Sequence, residues 1–514
     1  MKFDWKKHSL LVVLLALSAV GLAVRLVAAR TVGFGDSEAL YASYALFPAP
    51  AYLDHPGLIG LVARALGHGH APSPESAHVF TAIAMTFAPW AVVAACRVLG
   101  ATMRASLGAA IAVAVAPEIA VGLFGMTPDL VLFFAWMATV ALFGRALLSH
   151  ADSTAAAALF LGAGLALGLA CAAKVSGLVL GLALIVTLAA PSQRAHARTA
   201  WPWLTFGLAA LIFAPVLLFE AHKGWPMVHH RLIDTQHDAS VSLRNAAATL
   251  AGQALYVSPV LAVAGVVLGR ELIATRRDDP VQALLAATLL VPLGVLGVLC
   301  LWSRVAEPHW LAPAWLALPL YYAHASTHAR GSARAHPARP PVSKRLAIAG
   351  VAVGLFASSL VYAWVLVPGL VAYVPRTFYE PKLDIANELF GWPEAVADVE
   401  RDALEARVRL GDDREVAVVG SVWMVCAQLR AALPAELAVG CAGKDTADFA
   451  TWSPKSNWSR AEIIVFVHDN RAPVDSSTLF PDRALLREHT RTIMRGGQTA
   501  RVFTIEVLSR RAAS

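Results

Sequence analysis

Residues 9–60 of the chain read SLLVVLLALSAVGLAVRLVAARTVGFGDSEALYASYALFPAPAYLDHPGLIG. The first part is apolar for roughly 20 positions, which is enough for one helix to cross a bilayer. The apolar run ends in a short polar segment that carries Asp36, Glu38, Asp54 and His55. Carboxylates so close to hydrocarbon lose part of their hydration, and such residues are usually retained for a function. This junction therefore predicts a membrane protein whose chemistry takes place in its first loop.

The composition extends this interpretation to the whole chain. Of the 514 residues, 57% are hydrophobic and only 15% are charged, whereas soluble domains carry about 25% charged residues. The apolar runs are also too long for barrel strands, so we predict a polytopic α-helical membrane protein. The net charge of +7 does not indicate a nucleic-acid partner, because the basic residues cluster in loops between apolar runs. The expected surroundings are the lipid bilayer.

About eleven apolar runs have the length of a membrane span. They cover residues 9–29, 78–97, 105–124, 128–148, 154–171, 175–190, 201–219, 249–268, 281–301, 308–325 and 346–372. With a cytoplasmic N-terminus, about sixteen Lys and Arg residues fall in inner loops and about eight in outer ones, as the positive-inside rule expects. We expect a multi-pass protein of the cell inner (plasma) membrane. Its transmembrane domain would cover residues 1–372, with outer loops at 30–77 and 220–248.

An odd number of spans places residues 373–514 outside the cytoplasm. In this tail, EVAVVGSVWMVCAQL and AEIIVFVHDN indicate strands, while 392–409 and 482–488 indicate helices. The tail therefore predicts a small C-terminal extracytoplasmic α/β domain.

Two of the five cysteines, Cys426 and Cys441, lie in this tail. An oxidising compartment would permit a disulfide between them. Cys426 also stands in an apolar run, where a buried free thiol is equally expected. No Cys and His spacing in the chain predicts a zinc site.

Polar residues recur where the predicted spans meet the outer side. Besides the first loop, they include Asp129, Lys174, His230, Arg231, Arg304, Glu307 and His309. Two interpretations stay open for them. Asp129 would complement a helix dipole as well as serve a site, and the cationic side chains would anchor at the interface as well as bind a phosphate.

The motifs DSEALY (36–41) and YLDHPGLIG (52–60) resemble two patterns of a known family. These are the D-E-A-x-Y and D-H-P-P patterns of the bacterial dolichyl-phosphate-mannose–protein mannosyltransferase-like family. That family includes the lipid A aminoarabinose transferases and belongs to the GT-C superfamily. The resemblance continues through MTPDLVLFFAW, AAKVSGLVLGL, GWPMVHHRLIDTQHD and AEPHWLAPAW, over roughly the first 320 residues.

The resemblance implies a membrane glycosyltransferase that moves a sugar from a polyprenyl-phosphate donor to an extracytoplasmic acceptor with inversion. The acceptor would be a glycolipid, a glycan or a protein, and the transferred group a hexose or pentose. It also implies a catalytic carboxylate at Asp36 or Glu38. The family's adjacent Asp-Glu is Asp-Ser-Glu here, which rotates Asp36 by about 100° on a helix, so the choice between the two acids stays open.

The other expected site residues divide into two groups. Those expected to bind the donor phosphate are Lys174, Arg231, Arg304 and His309. Those expected to support the site are Tyr41, Asp54, His55, Asp129, His230 and Glu307.

The expected chemistry agrees with these residue types. Transfer from a lipid phosphate needs a base for the acceptor hydroxyl and cations for the departing phosphate. It requires no redox cofactor or nucleotide, and whether a divalent metal takes part stays open. The alternative function is a polytopic transporter or flippase of lipid-linked or small substrates. Transporters usually show internal repeats and mid-span charges, and the sequence indicates neither.

Overall fold

The computed structural model describes residues 5–236, 239–277, 279–303, 307–328, 342–411 and 416–511. Within these residues, seven helices are long and apolar enough to cross a membrane. The number rises to ten when each of three bent helix pairs is counted as one span. The predicted polytopic α-helical fold is therefore confirmed.

The membrane-embedded part is built from helices of very different lengths. In chain order they are α1 (Trp5–Thr31), α2 (Asp36–Tyr44), α3 (Leu58–Leu66), α4 (Pro74–Val98), α5 (Met103–Val115), α6 (Pro117–Ala120), α7 (Pro128–Leu147), α8 (Thr154–Ala173), α9 (Ser176–Leu188), α10 (Arg194–Ala197), α11 (Trp201–Lys223), α12 (Pro226–Leu232), α13 (Leu243–Val257), α14 (Pro259–Thr275), α15 (Pro280–Trp302), α16 (Ala312–Trp315), α17 (Ala317–His328) and α18 (Lys344–Leu366). Short 3₁₀ turns lie at Gly122–Phe124, Pro191–Gln193, Asp234–Gln236, Pro308–Leu311 and Pro368–Tyr373.

The span predicted at 308–325 is not one long helix. It consists of a 3₁₀ turn, α16 and α17, because prolines interrupt the backbone hydrogen bonding there. The segment nevertheless runs the length of the bundle. It starts just after the end of α15, and His324 near its own end lies 2.7 Å from Asp279, which caps the start of α15. It therefore runs back along α15, from the end of that helix to its start.

Close helix packing relies on small residues. In α8, Gly164 and Gly168 form a G-x-x-x-G pattern that faces α11. A Cβ atom at Gly168 would lie 2.7 Å from the Cβ of Ile212, and one at Gly164 would lie 2.8 Å from the carbonyl oxygen of Thr205. Such small residues let the backbones of two membrane helices approach each other.

The tail forms an α/β domain around one five-stranded sheet. Its elements are α19 (Trp392–Leu410), β1 (Val416–Gly420), α20 (Trp423–Ala432), β2 (Ala438–Cys441), α21 (Phe449–Trp452), α22 (Lys455–Trp458), β3 (Ile463–Asp469), α23 (Ser476–Leu479), β4 (Arg483–Arg495) and β5 (Gln498–Arg510), with 3₁₀ turns at Pro381–Leu383 and Asn387–Leu389. The strand order is β2-β1-β3-β5-β4, parallel among the first three strands and antiparallel at β5 and β4. The predicted small α/β domain is thus present.

Two details of the tail were predicted wrongly. The segment at 423–432 continues the predicted strand but forms α20, whose Val425, Cys426 and Leu429 are buried with helical spacing. The predicted helix at 482–488 is instead the start of β4, which pairs with β5 across a turn at Gly496–Gly497. In both places, packing against neighbouring elements overrides the local pattern.

The cysteines of the tail are joined. Cys426 and Cys441 form a disulfide that links α20 to β2. The sequence left open a disulfide or a buried free thiol at Cys426, and the structure contains the disulfide. The remaining three cysteines, Cys96, Cys171 and Cys300, are free and buried.

Candidate active site

The loop between α1 and α4 contains the first part of the site. Its Asp54-His55-Pro56 turn is closed by a bridge between Ala51 and Pro56. The N–H of Gly57 donates to the carbonyl of Pro50 at 2.7 Å, and a Cβ atom at Gly57 would lie 2.2 Å from the carbonyl oxygen of Ala49. A second proline after Asp-His would lose this hydrogen bond, and the close approach of the Ala49 carbonyl leaves no room for any side chain, so a glycine stands here.

Asp54 joins this loop to α12, the short helix that follows α11. Its Oδ1 atom lies 2.8 Å from Nη2 of Arg231 and 3.6 Å from Nε2 of His230. Burial opposes ionisation of Asp54, but these two partners outweigh it and lower its pKa to about 2. The carboxylate in turn raises the pKa of His230, against the effect of partial burial. The three side chains form a charged group that joins the first loop to α12.

A second ion pair forms between the ends of two spans. Nζ of Lys174 lies 2.8 Å from both oxygens of Asp129. Asp129 is in the first turn of α7, and Lys174 is the extended residue between α8 and α9. The chain turns tightly there, since a Cβ atom at Gly177 would lie 2.4 Å from the backbone nitrogen of Cys171. The Ala-Lys-Val-Ser-Gly sequence thus breaks the helix and turns the lysine toward α7.

The segment after α15 adds a third pair. Nδ1 of His309 lies 2.9 Å from Oε2 of Glu307. This contact is the main reason why the pKa of Glu307 is lowered. Arg304, which the sequence predicted as a phosphate ligand, lies outside the described residues.

His55 and Tyr41 lie between these pairs. Their rings are 5.5 Å apart and both side chains are buried. Burial, assisted by the positive charges of Lys174 and Arg231, lowers the pKa of His55 to about 3, so this imidazole is neutral at physiological pH. Burial raises the pKa of Tyr41 well above its usual range, so the phenol keeps its proton.

The polar cluster borders an apolar cavity of about 730 Å³. Glu118, Asp129 and His309 line one end of the cavity, and Arg104 and Lys344 line it near the start of α5 and α18. The 13 residues of α5 lie between these groups, a distance of about 20 Å at 1.5 Å per residue. The cavity therefore extends along most of a membrane helix, with mainly apolar walls of aliphatic and aromatic side chains between two polar ends.

Glu118 was not among the predicted site residues. It lies inside the predicted span 105–124, beside Pro117. The signal that could have found it is a carboxylate next to a helix-breaking proline within an apolar run.

The two predicted catalytic acids lie in α2, and both are buried. Glu38 is fully engaged by backbone and histidine donors. The N–H groups of Gly35 and Met126 donate to its carboxylate at 3.0 and 2.7 Å, and Nε2 of His78 lies 3.0 Å from Oε1. The contact with Gly35 is a capping interaction that starts α2. These contacts join α2 to α4 and to the turn before α7.

Asp36 instead faces the C-terminal domain. Nη1 of Arg471 donates to its Oδ2 at 2.7 Å, and Nε2 of Gln428 lies 3.4 Å from its Oδ1. The N–H of Asp36 donates to Glu388 at 3.0 Å. Burial and the nearby charge of Asp36 raise the pKa of Glu388 to about 7. The C-terminal domain therefore packs on the same end of the bundle as the polar cluster.

The structure thus divides the predicted site residues into two sets. One set forms the polar cluster and contains Tyr41, Asp54, His55, Asp129, Lys174, His230, Arg231, Glu307 and His309. The other set, Asp36 and Glu38, contacts the C-terminal domain, α4 and the turn before α7. In the described part of the chain, no three His, Cys, Asp or Glu side chains are grouped so that they could hold a metal ion.

Comparisons with known proteins bear on this architecture. Residues 58–219 match the family described as dolichyl-phosphate-mannose-protein mannosyltransferase. ArnT from Cupriavidus metallidurans bound to undecaprenyl phosphate is 15% identical, with a TM-score of 0.59 over 97% of this chain and 98% of that chain. Its apo state is 14% identical, with a TM-score of 0.59 over 96% and 97% of the two chains.

A third similar structure is the oligosaccharyltransferase AglB from Archaeoglobus fulgidus in complex with an inhibitory peptide and a dolichol-phosphate. It is 13% identical, with a TM-score of 0.51 over 90% of this chain and 70% of that chain. No curated protein sequence matches the chain significantly. The predicted resemblance is confirmed: this chain has the GT-C glycosyltransferase fold, and its residues 58–219 match the dolichyl-phosphate-mannose–protein mannosyltransferase family.

Proposed function

We propose that this protein is a membrane glycosyltransferase that moves a hexose or pentose from a polyprenyl-phosphate donor to an extracytoplasmic glycolipid, glycan or protein. The observation that carries the proposal is the polar cluster at one end of a long apolar cavity. Apolar walls suit an isoprenoid chain, and the cations beside Asp54 and Asp129 suit a phosphate. The structures of ArnT with undecaprenyl phosphate and of AglB with dolichol-phosphate support a lipid phosphate as ligand of this fold.

The proposed phosphate ligands are Lys174, Arg231 and His309, with Arg304 as a further predicted one. Lys174 and Arg231 are each held by a carboxylate at 2.8 Å. Such pairing fixes the position of each cation and compensates its charge next to an apolar cavity. The five N–H donors of an Arg side chain exceed what one carboxylate oxygen accepts, so Arg231 can hold a phosphate while it stays on Asp54.

The proposed reaction is a single displacement. The acceptor hydroxyl oxygen attacks the anomeric carbon, and the bond from that carbon to the phosphate oxygen breaks with its electron pair left on the phosphate. The hydroxyl proton passes to a carboxylate base. Attack from the face opposite the phosphate inverts the anomeric centre. Cations beside the phosphate stabilise the charge that develops there.

Of the two predicted acids, we propose Asp36 as the base. Three donors within 3.0 Å already engage the carboxylate of Glu38, so its proposed role is to hold α2 in place. Oδ1 of Asp36 has only a long contact of 3.4 Å to Gln428, while Arg471 donates to Oδ2 at 2.7 Å. We propose that the protein lies in the inner membrane with its N-terminus in the cytoplasm. The site and the C-terminal domain would then lie outside the cytoplasm.

A transfer assay in lipid nanodiscs tests this function. The full chain is incubated with undecaprenyl phosphates that carry different single sugars and with an envelope lipid extract, and release of undecaprenyl phosphate is measured by mass spectrometry. We expect release with one of the donors and at least a hundredfold slower release for D36N. We expect E38Q to fold less stably but to retain more activity than D36N.

Two further results complete the test. K174A should weaken binding of undecaprenyl phosphate itself, whereas D36N should not. Movement of the intact sugar lipid across liposomes without release of its phosphate would support the transporter and overturn the transferase.

A further inference from the structure

The short helix α6 is a rigid feature of the cavity wall. The chain leaves α5 at Ala116, which is extended, and turns by 72° into Pro117–Phe124. This break is expected before a proline, which disfavours helix at the preceding residue. The carbonyl of Ala120 at the end of α6 accepts hydrogen bonds from Tyr362 at 2.8 Å and Arg25 at 3.3 Å. Hydrogen bonds from side chains of α1 and α18 therefore fix the end of α6.

The fixed helix carries Glu118, an acid that has no assigned role. Its exposed fraction is 9%, it lines the cavity, and its Oε2 atom has no hydrogen-bond partner among the described residues. The other acids of the polar cluster do have partners: Asp54 contacts Arg231, Asp129 contacts Lys174, and Glu307 contacts His309. A buried carboxylate oxygen without a hydrogen-bond partner is costly, so a ligand that donates to the carboxylate of Glu118 would relieve this cost.

The surroundings decide what kind of group Glu118 can bind. The isoprenoid chain of a lipid ligand would gain nothing from contact with the carboxylate of Glu118. A phosphate placed against this carboxylate would be repelled. A carboxylate accepts hydrogen bonds from the O–H of a hydroxyl group or the N–H of an amino group. The charges that act most on Glu118 are those of His309, Asp129 and Lys174, so it lies beside the proposed phosphate position without being part of it.

We propose that Glu118 is a specificity-determining residue that accepts a hydrogen bond from a hydroxyl or amino group on the sugar of the lipid-linked donor. This inference rests on the proposed function. It deepens that function by naming which part of the donor the buried acid recognises. A site that hydrogen-bonds a substrate hydroxyl discriminates strongly against ligands that lack it, because the buried polar group is then left unpaired.

The test compares two kinds of ligand on the full chain in nanodiscs. One is undecaprenyl phosphate without a sugar, and the others are undecaprenyl phosphates that carry mannose, glucose or 4-amino-4-deoxyarabinose. The measured quantity is the affinity ratio between the best sugar lipid and the bare lipid. We expect E118A to lower this ratio at least tenfold while it changes the affinity for bare undecaprenyl phosphate less than twofold. E118Q keeps an acceptor oxygen and should lie between E118A and the wild type.

The matched control is E75Q, which alters an exposed glutamate paired with Arg30 and should leave the ratio unchanged. Equal loss of affinity for both kinds of lipid in E118A and E118Q would overturn the inference, since it indicates a structural or phosphate role. An unchanged ratio in both variants would overturn it as well. If E118A does not fold, the isosteric E118Q variant gives the answer. A wild-type protein that binds no polyprenyl phosphate at all would instead overturn the proposed function.

Discussion

The carboxylates of this end of the molecule are held in two different ways. Asp54 contacts the guanidinium of Arg231, and Asp129 contacts the ammonium group of Lys174, each at 2.8 Å. Glu38 is held mainly by backbone N–H groups, which fix its position without supplying a positive charge. A carboxylate of the first kind orients a cation for a ligand, while one of the second kind stabilises the turn that contains it.

The Asp36–Arg471 contact predicts a stability effect at the level of one residue. Both side chains are largely buried, so R471A leaves an uncompensated carboxylate and should cost roughly 3 kcal/mol or more of unfolding free energy. A thermal melt in detergent should show a markedly lower Tm. The control is R401A, because Arg401 is 53% exposed and Asp398 keeps a second arginine, Arg491. A Tm for R471A equal to that of R401A, where about 0.2–1 kcal/mol is expected, would contradict a tight interdomain pair.

His230 predicts a pH dependence of ligand binding. Asp54 raises its pKa above the ordinary 6.5, so its positive charge is present at lower pH and is lost as the pH rises through the raised value. The stabilising Asp54–His230 attraction is lost over the same window. A charge near the phosphate is worth about 1 kcal/mol, or roughly fivefold in affinity.

The measurement for this prediction is the affinity for undecaprenyl phosphate at a series of pH values above 6.5. The wild type should show about a fivefold fall that H230Q lacks. The ligand's own ionisation affects both proteins equally, so the difference between them isolates the histidine. H222Q, which alters an exposed histidine, should behave as the wild type. Parallel curves for H230Q and the wild type would remove His230 from the phosphate site.

At the level of elements, the glycine pattern of α8 predicts where a larger side chain is not tolerated. G168L would place atoms where Ile212 of α11 already lies, and overpacking typically costs roughly 1–3 kcal/mol. G207L is the matched control, since no atom lies within 4 Å of a Cβ at this position of α11. Thermal melts should show a lower Tm for G168L only. Equal melting of the two variants would mean that α8 and α11 separate easily to accommodate the side chain.

The sequence predicts elements well where the chemistry is local. The apolar runs predict the helices, because backbone groups in lipid must be satisfied within the helix. Breaks inside apolar runs, such as the 72° bend at Pro117, depend on a single proline and on contacts from α1 and α18 that no local pattern contains. For the same reason, α20 was predicted as a strand: its buried apolar face is filled by a distant part of the chain.

The same distinction holds for the site. The sequence predicts Asp54 and Arg231 in outer loops and Asp129 and Lys174 at the outer ends of spans, and the fold brings these positions together. Glu118 was missed because its neighbours are apolar. Asp36 contacts Arg471 and Gln428, which lie more than 390 positions away in the chain. One sequence contains no signal for such a contact.

At the scale of the whole molecule, the proposed function requires the polar cluster and the C-terminal domain to face outward. They lie on one side of the bundle, since residues 33–54 of the first loop contact the tail directly. The N–H of Gly33 donates to the carbonyl of Leu389 at 2.9 Å, and that of Leu53 donates to Asp448 at 3.0 Å. The loop between α9 and α11, which contains the exposed Ser192, lies at the end of α9 that is remote from Lys174.

Single cysteines at exposed positions of the two sides test this orientation. The three free native cysteines are buried, so an impermeant maleimide should report mainly the introduced thiols. In intact spheroplasts we expect S477C, on the exposed part of the C-terminal domain, to be labelled at least tenfold more than S192C. After the membrane is permeabilised, both should be labelled equally. Labelling of S192C alone in intact spheroplasts would place the acids and the cavity mouth in the cytoplasm, where an extracytoplasmic acceptor could not reach them.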